Sequence, residues 1–170
     1  GYFEMIGMPY TCCDVLAAAL TYNKFTCNHY LKGFGVNVAE SIMLRKGQTI
    51  ESKEAVNRLG LPIFVKPNVG GSSFGVTKVK SEEEVQQAVE KAFAEGDQVI
   101  LESYMKGTEI TCGMYKTKEK TVVFPITEVV SENEFFDFDA KYKGQVSEIT
   151  PARLSEDLTN RVKQQTNKIY

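Results

Sequence analysis

The most constraining stretch of this chain is Ile63-Phe64-Val65-Lys66-Pro67-Asn68-Val69-Gly70-Gly71-Ser72-Ser73-Phe74-Gly75-Val76-Thr77-Lys78-Val79. An apolar, β-prone run ends on a lysine and a proline, a loop of small residues follows, and a second β-prone run leaves it. That order reads as a hairpin, with Gly70-Gly71 at its tip. Lys66 would hold a charge at the end of the first strand. Gly70, Gly71, Ser72 and Ser73 offer backbone N–H groups and hydroxyls that no bulky side chain shields. Such donors, with one lysine, suit a polyphosphate, because they can converge on its oxygens. The spacing is not that of a Walker A loop: no Gly-Lys-Ser/Thr follows, and the exit is strand-like rather than helical. Taken alone, the loop is either an ordinary hairpin turn, the commoner case, or a lid that closes over phosphates.

Bulk properties narrow the function classes. With 170 residues, 42% hydrophobic and 25% charged, the chain can bury a core in one domain or two small lobes and reads as a soluble globular protein. A formal net charge of -2 argues against a nucleic-acid surface, which needs a clustered basic excess. No apolar run approaches a membrane span and no secretory signal opens the sequence, so a cytoplasmic location without membrane partner is expected. Cys12, Cys13, Cys27 and Cys112 form no Cys-x-x-Cys pair, and the single His29 cannot complete a zinc site with them. They are expected to be reduced. The opening at Gly1 without a methionine, and the stop inside a helical pattern at Tyr170, lead us to expect a segment of a longer protein.

Along the chain, helices are expected over Thr11–Leu20 with Thr11 as N-cap, and from Asn23 through Lys32 until Gly33 and Gly35. Val36–Met43 reads as a strand, Ser52–Leu59 as a helix closed by Gly60, and Pro62 as the start of the strand that reaches Lys66. Ser81-Glu82-Glu83-Glu84 is a capping box before Val85, Ala88, Val89, Ala92 and Phe93, which lie on one helical stripe. Gln98–Glu102, Thr108–Lys116 and Lys120–Val130 read as strands, with Pro125 marking an edge or bulge in the last. Ser131–Thr150 is polar, aromatic and irregular, and Ser155 opens a helix with the stripe Leu158, Val162, Ile169. Helices alternating with hairpins predict an α+β fold with mainly antiparallel sheets.

Several residues outside the loop bear on chemistry. Glu102 ends a strand and is followed by Tyr104-Met105, a pair that can flank an adenine or simply run into a loop. Glu109 can accept the hydroxyls of a ribose or be a solvated charge. Lys24 opens its helix, where a cation opposes the helix dipole unless an anion is bound. Lys141-Tyr142 can reach across a site as a cation and a phenol, or decorate a surface. Each alone leans to the ordinary reading; together they make a nucleotide inventory. One histidine cannot serve a Ser/His/Asp arrangement, and no tight acidic cluster offers magnesium ligands.

In order along the chain, six motifs resemble those of the D-alanine–D-alanine ligases, members of the ATP-grasp superfamily. Gly7-Met8-Pro9-Tyr10-Thr11 with Ala17-Ala18-Ala19-Leu20 is similar to the family's G-(L/M)-P-Y-T and A-S-A-L stretch, and Asn23-Lys24 to its Asp-Lys. Leu61 to Pro67 resembles L-P-x-x-V-K-P, and Gly71-Ser72-Ser73-Phe74-Gly75 resembles G-S-S-x-G. Glu102, Gly107, Glu109 and Thr111 are similar to E-x-x-x-x-G-x-E-x-T, and Phe136 to Tyr142 to F-Y-D-Y-x-A-K-Y.

The resemblance implies an ATP-grasp-type fold. Residues 1–22 would end the preceding domain, 23–104 would be the central subdomain with the phosphate lid, and 105–170 would begin the second subdomain. It implies that Lys24 and Lys66 contact ATP phosphates under a lid of Gly71, Ser72 and Ser73. Glu102, Tyr104 and Met105 would hold the adenine and Glu109 the ribose. Ser72 and Tyr142 would help anchor the first D-alanine, with Lys141 near the phosphates and adenine. The implied reaction activates one D-alanine as an acyl phosphate that the amine of a second attacks. The match at Tyr142 favours the D-Ala–D-Ala product over D-Ala–D-Ser or D-Ala–D-lactate. A carboxylate that orients the first D-alanine is implied before Gly1. Ligands for Mg2+ (or Mn2+) and a catalytic arginine are implied after Tyr170, and a homodimer is implied for the parent.

Overall fold

Four segments rich in Ile, Val and Leu pair into one antiparallel sheet: β1 (Ser41–Arg45), β2 (Ile63–Pro67), β3 (Thr77–Val79) and β4 (Gln98–Ser103), in the order β1-β4-β2-β3. The structure, a computed structural model, describes residues 1–131 and 146–170. They divide into two units, 1–104 and 105–170. The sheet belongs to the first unit, with helices α1 (Tyr2–Met5), α2 (Val15–Tyr22), α3 (Lys24–Gly33), α4 (Ser52–Leu59) and α5 (Val85–Phe93).

The two-residue period of the strands separates the sheet into an apolar face and a polar one. On the first, Leu101 of β4 stands between Ile42 and Val65, and Val99 between Leu44 and Pro67. Ile63, Val65, Val79, Val99 and Leu101 are fully buried there together with Val85 and Ala92 of α5 and Ala55 of α4, and Val89 of α5 is nearly so. Burying each large aliphatic side chain contributes about 1.5–3 kcal/mol, so this face anchors the unit. On the opposite face Glu102 stands between Ser41 and Phe64, and Ile100 between Met43 and Lys66. The same pleat that drives Val65 into the core thus turns Lys66 and Glu102 away from it.

The hairpin expected around the glycines exists: β2 and β3 pair antiparallel, Ile63 opposite Val79 and Val65 opposite Thr77. Between them the backbone is left-handed at Gly70 (φ 101°), Ser72 (φ 54°), Ser73 (φ 59°) and Gly75 (φ 66°). For the two serines this conformation costs about 1–2 kcal/mol each, strain of a kind that clusters at ligand clamps.

Several boundaries differ from expectation. The helix expected from Thr11 starts at Val15, because Asp14 Oδ1 accepts the Ala17 N–H at 2.7 Å and takes the cap. The strand expected over Val36–Met43 lies at Ser41–Arg45. Ser81 does not cap α5 with its hydroxyl; Glu82–Glu84 form a single 3-10 turn, and the Glu84 carboxylate reaches back to the Lys80 N–H at 2.8 Å. Asn23, Gly60 and Ser155 act as the sequence suggests, Asn23 and Ser155 as side-chain N-caps and Gly60 as the C-cap of α4.

In the second unit the long strands expected over Thr108–Lys116 and Lys120–Val130 are each broken in two. β5 (Glu109–Thr111) and β6 (Met114–Lys116) are separated at Gly113, and β7 (Thr121–Val123) and β8 (Thr127–Ser131) at Pro125. The breaks let one half of each strand join a different sheet: β6 pairs β7, whereas β5, β8 and β9 (Val146–Ile149) form another in the order β5-β8-β9. Proline cannot donate to a ladder and glycine weakens one, which places the break there. β9 falls in a stretch expected to be irregular. The closing helix α6 (Glu156–Ile169) buries no residue, and its stripe ends Leu158 and Ile169 are exposed.

Candidate functional site

The polar face of the first sheet gathers charged side chains. Lys66 and Glu102 form a salt bridge there, with the lysine side chain 24% and the glutamate side chain 9% exposed. The other carboxylate oxygen, Oε1, accepts from Asn28 Nδ2 at 2.9 Å, so α3 is tied to this face. Lys24, the first residue of α3, sits beside them. Its Nζ donates to the backbone carbonyls of Pro67 (3.1 Å), Asn68 (3.4 Å) and Gly70 (3.0 Å) at the mouth of the glycine-rich loop. Burial holds the Lys24 ammonium below the usual lysine range, and the nearby Lys66 cation pushes the same way while Glu102 opposes both.

Two ammonium groups close enough to repel one another, with one carboxylate between the sheet and α3, make a locally cationic place at the root of a small-residue loop. The loop's strained serines and unshielded backbone supply donors of the kind that take an anion with several oxygens. Farther along the sheet, the Tyr104 ring lies 6.1 Å from Phe64 and 5.1 Å from the Lys78 ammonium. Tyr104 is nonetheless exposed at its rim, which leaves an aromatic surface next to the end of β4. Among the described residues no group of three or more His, Cys, Asp or Glu side chains is placed to hold a metal ion.

A profile of the family described as "D-ala D-ala ligase C-terminus" matches residues 30–170. The chain belongs to this family. Among its relatives, the D-alanine–D-alanine ligase of Bacteroides fragilis is 64% identical over 170 residues, covering 100% of this chain and 52% of that protein. That of Parabacteroides distasonis is 65% identical with the same coverage. The chain therefore spans about half the length of the curated relatives it matches. Of solved structures, the VanG D-Ala:D-Ser ligase of Enterococcus faecalis superposes with a TM-score of 0.85 at 31% identity, over 99% of this chain and 49% of that one. The Bacillus anthracis D-alanine–D-alanine ligase complexed with ATP gives 0.80 at 28% identity, over 100% of this chain and 52% of that one. The expected fold class holds: the chain is α+β of the ATP-grasp type, with antiparallel sheets and packed helices.

Of the family positions named from sequence, the structure brings Lys24, Lys66, Glu102 and the Gly70 end of the loop together. Gly71 is exposed, and Ser72 and Ser73 are half-buried in the loop beyond it. Tyr104 closes the first unit, whereas Met105 and Glu109 belong to the second, both exposed. Lys141 and Tyr142 lie outside the described residues. Two contributors escaped the sequence reading. Asn28, four residues after Lys24 and so on the same helical face, holds Glu102; that spacing was the available signal. Asn68, fully buried between Pro67 and the glycines, had no such signal.

Proposed function

We propose that this chain is the nucleotide-gripping part of an ATP-dependent ligase that joins two D-alanines through a D-alanyl phosphate, in the making of cell-wall peptidoglycan precursors. The observation that carries this reading is the convergence of Lys24 and Lys66 on the root of a glycine- and serine-rich loop, in a chain of this family. Lys24 and Lys66 take phosphate oxygens of ATP, and Gly71, Ser72 and Ser73 close over them. Phosphoryl transfer rests mainly on positioning and charge neutralisation, which ammonium and N–H groups provide. A closed loop also keeps water from an acyl phosphate. Glu102 holds Lys66 in place and, with Tyr104 and Met105, faces the adenine; Glu109 takes the ribose. Ser72 and Tyr142 hold the first D-alanine, with Lys141 beside the phosphates.

The division into 1–22, 23–104 and 105–170 corresponds in this reading to the end of a preceding domain, the lid-bearing subdomain and the start of the second. Mg2+ (or Mn2+) would be held by residues outside this segment and would supply charge neutralisation at the phosphates. The parent works in the cytoplasm as a homodimer, with ATP and D-alanine as its small-molecule substrates. A second reading, favoured by the superposition on a D-Ala:D-Ser ligase, is an ATP-grasp ligase with D-serine or D-lactate as second substrate.

The test is a calorimetric titration of the 170-residue chain with ADP and with ATP, beside Lys66→Ala. Specific nucleotide at about a hundredfold over its dissociation constant should add about 2.7 kcal/mol of folding stability, also visible by melting. Binding that survives unchanged in the variant refutes the phosphate role of Lys66. Phosphate release by the parent protein with D-alanine, D-serine or D-lactate then separates the two readings. The isolated segment should make no dipeptide; product from it alone would overturn the assignment of essential groups beyond its ends.

A further inference from the structure

Among the described residues the buried polar side chains are Asn68, Glu102 and Glu128; of these Asn68 alone is fully buried, and all of its polar atoms are engaged. Its side-chain Oδ1 accepts the Phe25 N–H at 2.9 Å, and Nδ2 donates to Gln98 Oε1 at 2.7 Å. Its own N–H donates to the Gln98 carbonyl at 2.8 Å, and its carbonyl accepts the Lys24 N–H at 3.1 Å. Nδ2 also lies 3.9 Å from Met43 Sδ. One residue therefore joins three elements: the first turn of α3, the start of β4 and the end of β2.

These contacts fix the residue that matters for the anion. The first helical N–H groups have no partner inside the helix, and here Asn68 takes two of them, those of Lys24 and Phe25. That sets both the axial position and the rotation of α3 at Lys24, and so determines where the Lys24 ammonium meets the carbonyls of Pro67 and Gly70. Gln98, on the first position of β4, holds the Asn68 amide from the other side and prevents its rotation.

We infer that Asn68 is a positioning residue for nucleotide binding: it places the Lys24 ammonium at the root of the glycine-rich loop, without touching nucleotide itself. The inference rests on the proposed role of Lys24 toward ATP phosphates. An alanine in its place would keep the backbone carbonyl that takes the Lys24 N–H but leave the Phe25 N–H and the Gln98 side chain without their partner, and so loosen the seat of α3 on the sheet.

The experiment uses the parent ligase and measures KM for ATP, KM for the amino-acid substrate, kcat and melting temperature. The variants are Lys24→Ala, Asn68→Ala, Gln98→Leu and the double variant Asn68→Ala/Lys24→Ala. Loss of a hydrogen bond to a charged phosphate corresponds to about tenfold in KM for ATP, and Asn68→Ala should show about that increase with the amino-acid KM unchanged. The double variant should be no worse toward ATP than Lys24→Ala alone, because the two residues act through one ammonium. Gln98→Leu, which leaves the α3 bonds in place, should move KM for ATP the same way by less, and keeps the test available if Asn68→Ala does not fold. Effects of Asn68→Ala and Lys24→Ala that multiply would overturn the inference while leaving the Lys24 role standing. So would a fall in melting temperature with KM for ATP unmoved in both Asn68→Ala and Gln98→Leu. A Lys24→Ala protein with unaltered KM for ATP would overturn the Lys24 role as well.

Discussion

Replacing Lys66 by methionine separates what the Lys66–Glu102 pair does for the fold from what it does for a ligand. The side chain of Glu102 is 9% exposed and that of Lys66 is 24% exposed, so the lysine can reach water if released but the glutamate cannot. Removing one partner of a buried pair costs about 3–5 kcal/mol, largely because a charge is left behind. Here Asn28 still donates to the carboxylate and the pair is not fully enclosed, which brings the expectation for Lys66→Met to about 2–3 kcal/mol. For a chain of this size that is a fall of about 4–12 °C in melting temperature. Glu102→Leu should cost less, since the surviving lysine can turn to solvent. The double variant Lys66→Met/Glu102→Leu leaves no orphaned charge and should regain most of the stability lost in Lys66→Met.

The assay is thermal and urea unfolding of the chain and its three variants, with an ADP titration of each. The double variant should fold well and, on the proposed phosphate role of Lys66, bind no better than Lys66→Met, because the lysine is absent from both. If Lys66→Met melts where the parent chain does, Glu102 is hydrated and the pair is no structural element of this face. If the double variant is less stable than Lys66→Met, the reasoning from orphaned charge is wrong.

Two further outcomes test the loop and the second unit. At Gly75 an added Cβ would lie 2.9 Å from Glu95 Cγ and 3.1 and 3.3 Å from ring atoms of Pro67, at a φ of +66°; Glu95 can yield but the ring on β2 cannot. Gly75→Ala should therefore lower the urea midpoint by the equivalent of about 2 kcal/mol with the slope unchanged, whereas Gly71→Ala, with nothing within 4 Å of its Cβ, should not; equal midpoints for the two would contradict this. In the second unit, hydrogen bonds from Arg153 at 2.7 and 2.9 Å hold the Glu128 carboxyl below its ordinary value of 4.5. A depressed folded-state value means that the stabilisation is present above the ordinary value and lost as pH falls through the depressed one. Arg153→Ala should thus be less stable than the parent chain near neutral pH, with the gap narrowing in acid, and a gap independent of pH would exclude the pair as its source.

The residues that were legible in sequence are those whose role depends on near neighbours. Ile63-Phe64-Val65 is an apolar, β-prone run that ends on Lys66, so one short window gives the strand and the charge at its end. Asn23 and Lys24 declare a helix start in the same way, and the anomaly of a cation at that start is local too. Pro125 showed that a strand was compromised, but not that its two halves would serve different sheets, because β7 turns back on its neighbour β6 while β8 pairs with the more distant β5 and β9. The two asparagines mark the limit more sharply. Asn28 bonds a carboxylate 74 residues on, and Asn68 reaches 43 residues back to Phe25 and 30 forward to Gln98. In sequence Asn68 does not differ from a solvated turn residue, and Asn28 carries only its four-residue spacing from Lys24. Only the antiparallel register of β2 and β4, which sets Pro67 opposite Val99, brings the chain just past each strand close enough for a buried amide to bridge them. The charged groups of this site are therefore encoded locally, and the amides that aim them are encoded by the topology. A substitution at Asn68 or Asn28 should for that reason disturb the aim of Lys24 or Lys66 before it disturbs the sheet, whose stability rests on the opposite, apolar face.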